Sequence, residues 1–165
     1  MNSVVLLSDS GTVEAEHAAN GLAAYLELPS AFSGAITVGD PCDVLVLHDG
    51  SSGTAGIFSE VLTKASCNVS MEVCKDALEA GADVASAKSL VEAATAQVTV
   101  IVGVQAHLHK LAAALGVEAP DTHFTPGGGI LIETGDAGGW VLANVIVHKK
   151  SWWIHGVSAY SEAAA

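Results

Sequence analysis

No arginine occurs anywhere in the 165 residues. At average usage a chain of this length carries about ten. The basic residues are Lys64, Lys75, Lys88, Lys110, Lys149 and Lys150, set against 18 acids, so the formal charge is −12. Arginine is the usual bidentate clamp for phosphate and carboxylate, and that device is excluded here. A nucleic-acid partner needs a basic face, which six scattered lysines among 18 acids cannot build. An anionic membrane surface is disfavoured on the same ground. Long apolar runs are missing as well. None approaches the ~20 residues that span a bilayer, although half of the residues are apolar and the mean hydropathy is +0.46. Cysteine is scarce. Cys42, Cys67 and Cys74 are odd in number and form no CxxC pair, which argues against a disulfide framework and for a reducing compartment. No targeting segment precedes the first predicted strand, so the expected location is cytoplasmic. An organelle interior is the alternative if the numbering starts at a processed N-terminus.

What is present suits one domain with a buried core. The surplus apolar surface is expected to be covered by a protein partner or by further copies of the chain. Ser3 to Leu7, Val44 to Leu47 and (apart from Thr99) Val98 to Val102 are short apolar runs of the kind that form strands buried on both faces. Val69 to Val73 reads as an edge strand. Helices are predicted over Val13 to Leu28 (ended by Pro29), Thr54 to Lys64, Asp83 to Ala96 (with Asp83 as N-cap) and Gln105 to Leu115 (ended by Gly116). Asp76 to Gly81 reads as a connector. Ile130 to Glu133 and Trp140 to Val147 flank Gly135-Asp136-Ala137-Gly138-Gly139, a hairpin-like turn. The alternation predicts an α/β fold, a three-layer α/β/α sandwich with a mostly parallel sheet and an antiparallel edge strand. Residues 1–147 make the domain and 148–165 a C-terminal extension.

Ligands of open α/β sheets sit beyond the carboxyl ends of the strands. Three such ends are rich in small polar residues: Ser8-Asp9-Ser10-Gly11, His48-Asp49-Gly50-Ser51-Ser52 and Gly103-Val104-Gln105-Ala106-His107. They form either a pocket or ordinary small polar turns. Asp9 and Asp49 face the same choice, an acid/base dyad across a pocket floor or caps of the helices that follow. Ser8 to Thr12 is similar to the Asp-x-Asp-Gly-Thr signature of haloacid-dehalogenase-like phosphatases, but Ser stands at both acid positions. His107 and His109 are two apart on a helix and do not face one another, which argues against a metal pair. Cys42 and His48 lack further ligands at metal spacing. No metal and no cofactor is expected. Gly127-Gly128-Gly129 leads into a strand and lacks a following Gly-Lys-Ser/Thr, so it is not a phosphate loop.

The later segments carry a resemblance. Thr99 to Ala112 resembles the VLLVGHNPGLxxLA segment of the histidine phosphatase superfamily, and the small phosphohistidine-phosphatase branch is similar in length. Phe124-Thr125-Pro126-Gly127-Gly128 resembles that branch's FPPG loop, and Gly138-Gly139-Trp140-Val141-Leu142 its final GGWxL hairpin. Val44 to Leu62 is similar to its VLVSPxxRAxQTAEIL segment, and Val4 to Leu7 to its first strand. The resemblance covers about residues 3 to 147 and implies a phosphoglycerate-mutase-like fold. It also implies a pocket of two arginines and two histidines around a phosphoryl group, with one histidine as nucleophile. The residues at those positions differ. Ser8-Asp9-Ser10 stand where the family has Arg-His-Gly, the second arginine falls between Gly50 and Ser52, and the second histidine falls on Val104. At ~4 Å and an effective dielectric near 20, a carboxylate beside a phosphate costs several kcal/mol.

These positions imply a pseudophosphatase, a histidine-phosphatase-like protein without the activity that serves as a binding or structural subunit. No catalytic residue is expected among the degenerate positions Ser8, Asp9, Ser10, His48, Asp49, Ser51, Ser52, Val104, Gln105 and His107. One alternative is a redirected hydrolase in which Asp9 and His107 act together with Lys110. Another is a small-ligand sensor in the old pocket. The extension offers Lys149, Lys150, Trp152 and Trp153. Trp is a favoured interface anchor, which suits partner binding, but the same residues would also serve to cover an open sheet edge.

Overall fold

The computed structural model describes residues 3–32, 42–51, 53–64, 67–135, 138–147 and 152–155. The elements run β1 (Ser3–Ser8), α1 (Thr12–Phe32), β2 (Asp43–His48), α2 (Gly53–Lys64), β3 (Asn68–Val73), α3 (Lys75–Leu78), α4 (Val84–Ala93), β4 (Val98–Gly103) and α5 (Gln105–Ala114). A 3-10 turn (Asp121–Phe124), β5 (Gly129–Thr134), β6 (Trp140–Val147) and β7 (Trp152–His155) complete the order.

The seven strands form one sheet in the order β3-β2-β4-β1-β5-β6-β7. β3, β2, β4 and β1 are parallel; β5, β6 and β7 run antiparallel to their neighbours. The continuous apolar runs are explained by burial on both faces. Val4 and Leu6 of β1 point into one core with Leu78, Val91, Leu108, Leu111 and Phe124, from α3, α4, α5 and the 3-10 turn. Val5 and Leu7 point into the other with Leu22, Phe58 and Leu62, from α1 and α2. A strand covered on both sides has no polar position to alternate with. β3 is an edge strand and largely exposed, as its mixed sequence suggested.

Asp83 caps α4 as expected, accepting a hydrogen bond from the Ala85 amide at 3.0 Å. Gly116 takes the left-handed φ of +80° just past α5. The Gly135–Gly139 turn closes through Gly135 N–H donating to Gly139 O at 2.6 Å. Three segments depart from expectation. The connector after β3 contains the helical turn α3, built by amides of Ala77 and Leu78 on the Cys74 carbonyl. α1 continues through Pro29 to Phe32, because a proline this near a helix end removes only one intrahelical bond. The antiparallel flank has three strands rather than one edge strand, since part of the expected extension, Trp152–His155, pairs with β6 as β7 and lies beside α1. Lys149 and Lys150 lie outside the described residues.

Candidate functional site

β2, β4 and β1 are adjacent and parallel, so their carboxyl ends open at one edge of the sheet. Ser8, His48 and Gly103 are the last residues of these strands. The predicted clustering of the three polar loops is therefore real. β4 is central in it, and Asp9 N–H donates to the Gly103 carbonyl at 2.9 Å.

Ser8 is buried, and its amide donates to Gly128 O at 2.9 Å. This bond ties the end of β1 to the triple-glycine segment. The glycines are needed for close approach. A Cβ on Gly128 would lie 2.8 Å from the His123 carbonyl oxygen, and one on Gly129 would strike the Leu6 carbonyl oxygen. The run is thus a packing device that seats β5 against β1.

Asp9 is exposed, and its carboxylate Oδ1 accepts from the Thr54 hydroxyl at 2.7 Å and from the Ser10 amide at 3.0 Å. The Ser10 amide also reaches Thr54 Oγ1 at 3.2 Å. Thr54 is only 1% exposed in the first turn of α2, so the first loop is fastened to the helix that follows the second loop. Asp49 is engaged locally, accepting from Ser51 Oγ at 2.7 Å and Ser51 N at 2.9 Å. Burial by itself would raise its carboxyl. The Ser51 hydroxyl and amide bonds outweigh burial with help from nearby His48, and the net direction is below the ordinary carboxylate value. His48 Nδ1 accepts from the Gly50 amide at 3.1 Å, and Gly50 holds the left-handed φ of +93° that closes this loop.

Asp9 and Asp49 directly follow the two strands that flank β4, whose ends lie two strand spacings (roughly 10 Å) apart. Neither expected role describes them. A carboxylate that spans to α2 and a carboxylate that closes its own loop replace the dyad and the pair of helix caps. Val104 follows β4 and is 37% exposed, so an apolar side chain faces solvent at this edge. Gln105 opens α5. Val104, Gln105, Ala106, His109 and Lys110 line a shallow groove of about 560 Å³ beside it. Ser52 lies outside the described residues.

His107 is not a pocket residue. It is 4% exposed, and its Nε2–H donates to the Ala77 carbonyl at 2.8 Å. Its contact with Ala77 places the side chain in the core between α5 and α3, whereas the redirected-hydrolase reading had required it at the strand ends. Thr54 is the site residue that sequence reasoning passed over. It was read only as a helix start, and a threonine there gives no sign that its hydroxyl crosses to another loop. Among the described residues no group of three His, Cys, Asp or Glu is placed to hold a metal ion.

Removing the Thr54 hydroxyl tests this tether. Thr54→Val keeps the volume and leaves Asp9 Oδ1 and Ser10 N without that partner, so it should cost roughly 1–2 kcal/mol in urea denaturation. A loss below about 0.5 kcal/mol, the scatter of neutral surface changes, would show that the tether carries no stability.

This arrangement was compared with known proteins. The protein histidine phosphatase SixA complexed with tungstate superposes with a TM-score of 0.60 over 90% of this chain and 98% of its own, at 15% identity. The chain has the histidine phosphatase fold. A structure from Agrobacterium tumefaciens named for phosphohistidine phosphatase SixA aligns over 88% of this chain and 97% of its own, with a TM-score of 0.55 and 16% identity. Phosphoglycerate mutase from Plasmodium falciparum aligns over 86% and 87%, with a TM-score of 0.54 and 13% identity. No protein-family model and no curated protein matches the sequence. The histidine phosphatase fold expected from the later segments is thus present, and near-complete coverage of the SixA structures agrees with the expected kinship in length. No helix among the described residues is long and apolar enough to cross a membrane.

Proposed function

We propose that this protein is a pseudophosphatase, a histidine-phosphatase fold that performs no phosphoryl transfer and serves as a binding or structural subunit. One observation carries the reading. The strand ends where the resemblance places Arg-His-Gly, a second arginine and a second histidine bear Ser8-Asp9-Ser10, the Gly50–Ser52 loop and Val104 instead. Phosphoryl transfer to a histidine needs an imidazole nucleophile and cations to stabilise equatorial oxygens in the transition state. Asp9 and Asp49 put negative charge beside that position, and Val104 offers it no donor. The chain has no arginine to bring in from elsewhere, and His107 is engaged with the Ala77 carbonyl.

The purified protein is expected to hydrolyse neither a phosphohistidine peptide nor p-nitrophenyl phosphate above the protein-free background. Turnover that copurifies with the chain and disappears in Asp9→Asn would overturn the reading. Recovery of the chain from its native source as a lone monomer would remove the subunit half of the proposal.

A further inference from the structure

Cys42 and Cys67 sit where β2 and β3 begin, at the edge of the sheet opposite the candidate site. β2 and β3 are parallel, and their register opens with Asp43 beside Asn68. Cys42 and Cys67 are the residues one step before that pair, and Asn68 N–H donates to the Cys42 carbonyl at 2.9 Å. Neighbouring residues on adjacent strands lie about 4.8 Å apart, inside the roughly 4.4–6.8 Å separation that a disulfide bridges. The two side chains also share a face. Cys42 is buried in the same core as Val44 and Val46, and Cys67 packs against that core together with Val69. Both are thiols in the structure.

We infer that Cys42 and Cys67 are an oxidisable dithiol, which closes to a disulfide joining β2 to the edge strand β3 when the protein meets a small disulfide oxidant. Cys67 is the more exposed of the two. Its thiolate attacks one sulfur of the oxidant, whose S–S bond breaks and releases a thiol. The Cys42 thiolate then attacks Cys67 Sγ in the mixed disulfide and expels the second thiol. Two cysteine thiols are oxidised, one external disulfide is reduced to two thiols, and the two cysteine protons pass to those products. Burial, with Cys67 and Asp43 close by, pushes the Cys42 thiol up to about 11, and burial also pushes Cys67 up. Closure is therefore slow at neutral pH and accelerates as pH rises. Cys74, seven residues beyond Cys67 on the same strand direction, is roughly 23 Å away and cannot replace either partner.

The test is incubation of the full chain with excess oxidised glutathione, followed by thiol titration and peptide mapping without reductant. At least two of the three thiols should be lost to one intramolecular bridge, with Cys74 left free or carrying a glutathione adduct. Cleavage at Met71 and after the lysines separates all three cysteines, and the linked peptides should be those of Cys42 and Cys67. Cys74→Ser should form the same bridge, whereas Cys42→Ser and Cys67→Ser should end as glutathione adducts without it. The bridged chain should unfold at higher urea, and reductant should reverse the shift. Three thiols still titratable after oxidation, or a bridge that includes Cys74, would overturn the inference. Mapping the unmutated chain decides the matter even if a cysteine variant fails to fold.

Discussion

His107→Ala should cost the protein about 3 kcal/mol of stability. The substitution empties a buried imidazole from the core between α5 and α3, and it strips the Ala77 carbonyl of its donor at 2.8 Å. Cavity and lost hydrogen bond add in the same direction. Urea denaturation should show a lower midpoint with an unchanged slope, the mark of a stability effect rather than an altered denatured state. His107→Phe divides the two terms. It refills most of the volume and leaves only the carbonyl unsatisfied, so it should recover part of the loss and remain roughly 1–2 kcal/mol below the parent. A midpoint within error of the parent for His107→Ala would show that the side chain is not held as described. Such a result would reopen the reading in which this histidine works at the strand ends.

His107 also marks the boundary of what the sequence discloses. β1, β2 and β4 were legible because residues such as Val4 to Leu7 and, apart from the buried Thr99, Val98 to Val102 are apolar where both faces are covered. Asp83 was legible because a cap is a local bond. The clustering of the three loops followed from strand direction alone. What escaped depends on long-range pairing. Nothing local distinguishes Trp152–His155 as a strand; it is one because β6 offers an open edge. The Asp76–Gly81 connector looked irregular because a single helical turn carries no periodicity. Thr54 and His107 each bond a group distant in sequence, 45 and 30 residues away. Spacing could place His107 on the helix but could not say which neighbour its face would meet.

Gly129→Ala should be at least as damaging, about 3 kcal/mol, at the upper end of the overpacking range. The new methyl would strike the Leu6 carbonyl oxygen and lie 3.1 Å from the Leu7 Cα and 3.2 Å from the Leu6 carbonyl carbon. Every one of these atoms is backbone of the neighbouring strand, so no rotamer change relieves the clash. Relief requires β5 to part from β1, which would break the antiparallel register from Leu7–Gly129 to Ser3–Glu133. Against a typical domain stability of about 5–15 kcal/mol, this should show as a large drop in thermal midpoint and in soluble yield. Gly56→Ala is the matched control. It lies in α2 with no atom within 4 Å of the added methyl, and helix propensity predicts a gain of about 0.5–1 kcal/mol. Equal effects at the two glycines would mean that β5 does not approach β1 as closely as described.

The position of β1 in the sheet has a consequence for biosynthesis. Of the strands in this sheet β1 is made before the others, yet it is flanked on one side by β4 and on the other by β5, whose residues begin at 98 and 129. Until β4 emerges, β2 and β3 can pair with each other, but β1 has no partner, and its row of buried Val and Leu residues stays uncovered. Closing such a distant pairing is slow, and uncovered apolar strands are the species that aggregate or recruit chaperones during translation. A pause in synthesis between β3 and β4 would lengthen that exposure, whereas one after β5 would fall when β1 is already enclosed.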